Sequence, residues 1–504
     1  METSSYSYLS SNVKDYIRIY YNETGEILLT EKNKVNGKEY LNPDYVEYLD
    51  AESDFDMGYI PSVLTTDYNY SYKLGTSNSD DLPIKYDSRN VNGNNYVTPL
   101  KKQYSELCWN YAFTSVIETK LLKDGLKTDA LSLDLSERMM DYATTDPISA
   151  IDIEKNPYFG NYVLNSLADS GNEFRYSSAL VNGLFPVDEN DWKYEKEYMG
   201  KVKPEDIYDF NKTNYQVNEV RYVNDNNYNV GFDENTNKIL KQYIIDNGSV
   251  GLSLRVGAGR NYVRYKASVE EQLNSGSQYN YLYYKSANAV YQSNDHMVSI
   301  IGWDDDYVHN VCVLDNGELV DSVNNDGIYS CSNGNLKTIN GAWIIKDSAN
   351  SSFHYVAYET VNSDYFAVTD ISYKDWDNVY SSSNNEAYTK SANIYIFNKQ
   401  GNVEKINSIK FYSDNVIKNL DIYINTYDGT GEKLLTTINT EIGGMYTIPI
   451  TSEVILSTDK FSIKGTSLYD IDQFSIFTNN VSDDVLINID DAKVINSFNY
   501  QDLL

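Results

Sequence analysis

Three cysteines in 504 residues, Cys108, Cys312 and Cys331, are too few for a disulfide-built scaffold, and their odd number leaves one over. Basic residues are also scarce. With 41 Lys and Arg against 73 Asp and Glu the net charge is −32, and no basic tract offsets it. Nucleic acid or an anionic membrane would therefore meet long-range repulsion. No run approaches 18 consecutive apolar residues, so no membrane span is expected. The N-terminus lacks the charged-then-apolar pattern of an export signal. Histidine is rare as well, at three, and no internal repeat is found.

What is abundant is apolar and aromatic surface. Hydrophobic residues make up 41% and aromatics 14%, with 49 tyrosines, which is enough for packed cores in two or three domains. Residues 1–81 are polar and tyrosine-rich with only short apolar clusters, and read as a segment laid over another domain. From residue 82 the texture changes. Apolar residues over 108–122 recur at the 3, 4, 7 spacing of an amphipathic helix. Ser136 reads as the N-cap of a second helix, a third covers about 177–181, and a fourth covers 236–245, ending at Asn247-Gly248 before a strand at 249–254.

Beyond residue 290 helical spacing vanishes. Short apolar runs at 297–303, 308–314, 342–346 and 355–360 are expected strands, with 308–340 hairpin-like and carrying Cys312 and Cys331. Those two cysteines are compatible with a disulfide or with buried thiols. The last 140 residues or so read as strand after strand (392–398, 406–412, 420–426, 446–450, 460–464) separated by turns such as Asp428-Gly429 and Gly443-Gly444, the spacing of a β-sandwich. Asp304-Asp305-Asp306 reads as a solvated turn rather than a metal site.

Cys108 opens the first helix, where the positive end of the helix dipole favours an anionic sulfur, the placement a nucleophile needs. The alternative is a small buried hydrophobe. His296 begins an apolar strand in residues 294–303 (NDHMVSIIGW), and Asp347 ends another in 341–348 (GAWIIKDS).

Here the sequence resembles the papain-like cysteine peptidases. Residues 102–113 (KQYSELCWNYAF) are similar to the family's Gln-Gly-x-x-x-x-Cys-Trp-Ala-Phe segment, and Glu118 matches an acidic residue further along the same helix. Residues 135–141 (LSERMMD) resemble Leu-Ser-Glu-x-x-Leu-Val-Asp, and Ser170-Gly171-Asn172 with Ala179-Leu180 resembles the substrate-cleft segment and its helix. The order Cys, His, Asn or Asp is the family's too. The resemblance implies that Cys108 attacks the scissile carbonyl and His296 handles its proton. It further implies that Asp347 orients the imidazole, that Gln103 and the Cys108 N–H form the oxyanion hole, and that Gly171 and Asn172 bind substrate.

Some positions depart from the pattern. Gln103 lies one residue closer to Cys108 than in the family, with Tyr104 in place of a glycine. The orienting asparagine is Asp347, and the following Trp-Gly is Ala349-Asn350, which predicts a His–Asp bond open to water. The interval from Cys108 to His296 exceeds the roughly 130–150 residues of the papain pattern, through insertions around 197–235 and 256–293.

Residues 58–62 (GYIPS) and 82–89 (LPIKYDSR) resemble the leader junction of bacterial and archaeal members, 183–189 (GLFPVDE) their Gly-Pro-Val-x-Glu segment, and 405–412, 420–425, 444–450 and 459–463 an attached lectin-like sandwich. The clostridial surface-layer-processing type combines these parts. The resemblance therefore implies an α+β, two-subdomain papain-like fold followed by an all-β lectin-like sandwich. The expected division is a leader at 1–81, a peptidase domain at 82–365 and the sandwich at 366–504. Function is expected to be secreted or cell-surface cysteine endopeptidase activity of zymogen type, without cofactor or metal. Its partners would be protein or peptide substrates, cell-surface proteins among them, with carbohydrate or calcium at the last domain. The alternative is a catalytically impaired homologue serving as a surface binding module.

Overall fold

The computed structural model describes residues 58–60, 82–144, 170–194, 213–224, 234–256, 262–266, 279–284, 294–315, 334–360, 364–382, 394–399, 402–413, 416–466 and 473–481, with Cys331, Ile471 and a few short strands.

The apolar run after Leu107 forms α1, Cys108–Lys123. The spacing predicts a one-sided helix, but every residue up to Leu122 is buried. The reason is its central position: it packs against two helices on one side and strands on the other, so no face remains for water. Its polar residues are paired accordingly. Asn110 Nδ2 donates to the Glu137 carbonyl at 2.7 Å, and Glu118 accepts from Thr98 Oγ1 at 2.5 Å and from the Leu135 N–H at 2.8 Å.

The two partner helices are α2, Glu137–Ala143, and α3, Glu173–Val181. Ser136 caps α2 as expected, accepting from the Met139 N–H at 3.1 Å. A fourth helix, α4, Glu234–Asn247, closes at Gly248 and lies on the β-sheet side.

The β subdomain is built from β1 (Lys85–Asp87), β2 (Tyr215–Asn224), β3 (Val250–Leu254), β4 (Tyr262–Lys266), β5 (Tyr279–Tyr283), β6 (His296–Val313), β7 (Asn335–Asp347), β8 (Ser352–Ala357) and β9 (Asp364–Tyr373). The runs at 297–303 and 308–314 are one strand rather than two, because β6 absorbs Asp304 to Val308 as a bulge instead of turning back. The acidic triplet falls on that bulge and is engaged by cations: Asp304 pairs with Lys85 at 3.0 Å and Asp305 with Lys241 at 2.6 Å. Antiparallel pairing of β6 with β7 closes the 308–340 hairpin, and a Cys312–Cys331 disulfide ties it.

The sandwich adds β10 (Asn378–Ser381), β11 (Ile394–Asn398), β12 (Glu404–Ser413), β13 (Leu420–Asn425), β14 (Glu432–Ile438), β15 (Gly444–Pro449), β16 (Lys460–Gly465) and β17 (Gln473–Asn480). One sheet runs β11-β16-β13-β14. Alternate residues such as Leu420, Ile422 and Ile424 point inward, against Ile409, Phe411, Phe461 and Phe474.

The other sandwich sheet does not stop at the domain edge. It continues as β10-β17-β12-β15-β2-β9-β3-β6-β7-β8-β5-β4, from the sandwich into the β subdomain. The seam is β15 on β2, where a side chain on Gly444 would meet the Val220 carbonyl oxygen at 2.2 Å, so only glycine allows the pairing. Strand β9 straddles the 365/366 division and pairs within the β subdomain, with β2 and β3.

Candidate active site

Helix α1 and strands β6 and β7 bring the expected residues together. Cys108 is the first residue of α1, fully buried, and the one free thiol once Cys312 and Cys331 are joined. His296 begins β6 and Asp347 ends β7. Because those strands are antiparallel, both lie at the same end of the ladder. His296 Nε2 is 2.9 Å from Asp347 Oδ1. The other ring nitrogen, Nδ1, makes no hydrogen bond, while the Cys108 thiol lies close enough to act on the ring electrostatically.

Burial by itself would disfavour an imidazolium here. The Asp347 charge and hydrogen bond, reinforced by Cys108, outweigh it and raise the His296 pKa to about 10. Burial likewise opposes charge on Asp347, but His296 and the Ala349 N–H hold its carboxyl well below the usual range. The pair is thus an ion pair at neutral pH.

The expected water-open His–Asp bond is not found, since both side chains are fully buried. Groups that sequence reasoning missed surround the carboxylate: the Ala349 N–H donates to Oδ1 at 2.8 Å, and the Tyr283 hydroxyl donates to Oδ2 at 3.0 Å. Nothing singles out Tyr283 in a chain with 49 tyrosines. Arg175 was missed too. Its guanidinium stacks 4.6 Å over the Trp109 ring and donates to the Ser170 carbonyl at 2.9 Å, joining α1 to the wall that carries Gly171.

Gln103 is held beside the end of β7. Its Nε2 donates to the Ser105 carbonyl at 2.8 Å, its Oε1 accepts from Ser348 Oγ at 2.8 Å, and its N–H donates to the Ser348 carbonyl. Asn172 caps α3, accepting from the Arg175 N–H at 3.1 Å.

Gly171 and Asn172 also contact the N-terminal segment. Gly58, Tyr59 and Ile60 run alongside Gly171, whose N–H donates to the Gly58 carbonyl at 2.9 Å and whose carbonyl accepts from the Ile60 N–H at 3.0 Å. On the other side the Tyr59 N–H donates to the carbonyl of Asp295, next to His296, at 3.2 Å. Three residues of the N-terminal segment therefore bridge the Gly171 wall and the His296 strand.

Among solved structures, the cysteine protease and lectin-like domains of Cwp84, a surface layer associated protein of Clostridium difficile, match with a TM-score of 0.53 and 19% identity, over 87% of this chain and 86% of that one. The chain has a papain-like fold with a lectin-like domain. A Cwp84 form after propeptide cleavage matches at TM-score 0.49 and 20% identity (78% and 83% covered), and digestive procathepsin L 3 of Tenebrio molitor larval midgut at 0.31 and 16% (66% and 84%). No protein-family model and no curated protein matches. Cys108 lies on the helical side and His296 on the β side, where α1 packs against β6.

Proposed function

We propose that this chain is a cysteine endopeptidase that works outside the cell or at its surface. The observation that carries the reading is a buried Asp347–His296 pair in electrostatic contact with the one free thiol, which opens a helix.

In the proposed reaction the Cys108 sulfur attacks the scissile carbonyl carbon, while the Cys108 N–H and Gln103 amide receive the developing oxyanion. Collapse breaks the C–N bond, and His296 Nδ1 delivers the proton to the leaving amine. His296 then takes a proton from water, which attacks the thioester and releases the acid and the thiol. Asp347 keeps Nε2 occupied, so that Nδ1 does the proton transfer.

The disulfide supports an oxidising compartment. No helix among the described residues is long and apolar enough to cross a membrane. Protein or peptide substrates fit the reading, cell-surface proteins among them. The leader would act as an inhibitory segment, because Gly58 to Ile60 hold the backbone groups on which an extended substrate would pair. For the lectin-like domain carbohydrate or calcium is the proposed ligand. Among the described residues, no group of three or more His, Cys, Asp or Glu is gathered to hold a metal.

A thiol-directed epoxide followed by mass spectrometry tests the reading. Covalent, pH-dependent labelling confined to Cys108 is expected, and Cys108→Ala should abolish peptidase activity with the thermal transition nearly unchanged. Residual turnover in Cys108→Ala, or no labelling of Cys108 at neutral pH once the leader is displaced, overturns it.

A further inference from the structure

We propose that Tyr283 is a positioning residue of the catalytic site, its hydroxyl holding the Asp347 carboxylate against His296 and so completing a chain Cys108, His296, Asp347, Tyr283. The inference rests on the catalytic reading of Cys108 and His296.

An asparagine in the orienting position has one acceptor oxygen to offer the imidazole and carries its own N–H donors. An aspartate has two acceptor oxygens and no donor, so a fully buried carboxylate leaves Oδ2 to be satisfied by the protein. Without a donor there, its desolvation would be uncompensated. Tyr283 supplies that donor at 3.0 Å, with Asn350 Nδ2 more distant at 3.5 Å.

The phenol is well placed to hold a geometry. Tyr283 is the last residue of β5 and is buried to 1% exposure. Its strand is fixed by parallel pairing with β8 at Val356, and its carbonyl accepts from Thr360 Oγ1 at 3.3 Å. Its ring is set edge-on between Tyr262 and His354 at 6.0 and 5.9 Å. Burial and the neighbouring Asp347 charge raise its pKa well above 10, so the hydroxyl remains a donor wherever the imidazolium persists. The charged or titratable groups acting on His296 include Cys108 from α1, Asp347 from β7 and His354 from β8 behind the carboxylate, with the buried Asp295–Arg255 pair, whose aspartate is next to it in the chain.

With Oδ2 anchored by Tyr283 and Oδ1 by the Ala349 N–H, the carboxylate cannot rotate away from Nε2. Release of one anchor weakens the pairing that keeps the ring charged.

The test is a titration of the full chain labelled with ¹⁵N-histidine, in which only three histidines contribute and His309, at the far end of β6, serves as the reference. Tyr283→Phe keeps the ring and is expected to lower the His296 pKa while leaving His309 unmoved. Alkylation of Cys108 by iodoacetamide should slow roughly tenfold, the factor expected for losing one hydrogen bond to a charged group. The same substitution placed on Asp347→Asn should shift His296 less than it does in the parent, because the charge it serves is gone. An unchanged His296 titration, or an equal shift in both backgrounds, overturns the proposal. The titration reads the imidazole whether or not peptides are cleaved, so a shift without peptidase activity would sustain the role of Tyr283 and sink the enzymatic reading instead.

Discussion

An aspartate beside the histidine changes how the site responds to pH. The His296 pKa of about 10 lies above the unfolded value near 6.5, so this group's contribution to stability is complete below about 6.5 and is lost as pH rises through about 10. Asp347 works in the opposite sense: its depressed pKa gives stability above about 3.8 that is lost in acid. Cys108 labelling should accordingly persist into the alkaline range. Asp347→Asn removes the charge that raises His296, so the alkaline limb of the labelling rate is expected to move to lower pH with activity retained near neutrality. Asp347→Ala leaves a buried imidazolium unpaired and should cost about 3–5 kcal/mol in a denaturant titration.

Two elements carry consequences that no single side chain does. The N-terminal segment packs against the chain at Gly58, whose φ is +107° and where an added Cβ would lie 2.3 Å from the Glu106 backbone, two residues before Cys108. Gly58→Ala should therefore lift the N-terminal segment and speed labelling of Cys108 in the intact chain, whereas an unchanged rate would show that Gly58 to Ile60 do not obstruct the thiol. Behind α1, Lys101 bridges Glu118 at 3.2 Å and Glu137 at 2.8 Å, while Lys346, next to Asp347, donates to Thr98. Burial, with Glu118 nearby, raises the Glu137 pKa to about 8 against the pull of Lys101. The folded state then binds a proton that the unfolded chain has lost between about 4.5 and 8, so this group makes stability fall across that window. Glu137→Gln is expected to flatten the fall in Tm from pH 5 to 8, as followed by calorimetry.

Across the whole molecule, the continuous sheet makes the sandwich part of the papain-like scaffold rather than a tethered appendage. Its strands β12 and β17 pack on α3, and Gln473 Nε2 donates to Asn182 Oδ1 at 2.7 Å, just past the helix capped by Asn172. Lys410 of β12 reaches the Val217 carbonyl of β2 at 2.8 Å, a second buried tie across the seam. Gly444→Val should force β15 off β2 and split one calorimetric unfolding transition into two. A single transition in that variant would mean that the seam contributes little to the coupling.

Much of the site was legible along the chain, because Cys108, His296 and Asp347 each sit at the end of an element with a strong local pattern: a helix start, a strand start and a strand end. The helix that begins at Cys108, the Ser136 cap and the alternating strands of the sandwich follow from local sequence, since these depend on residues close together in the chain. Long-range packing sets the burial of α1 on every side, the run of β6 through its acidic bulge, and the one sheet that joins the two domains. It also decides which tyrosine serves Asp347, which arginine stacks on Trp109 and how the N-terminal segment meets Gly171. Each of those depends on groups tens to hundreds of residues apart, whose meeting is set by strand register and packing and leaves no periodic trace in the sequence.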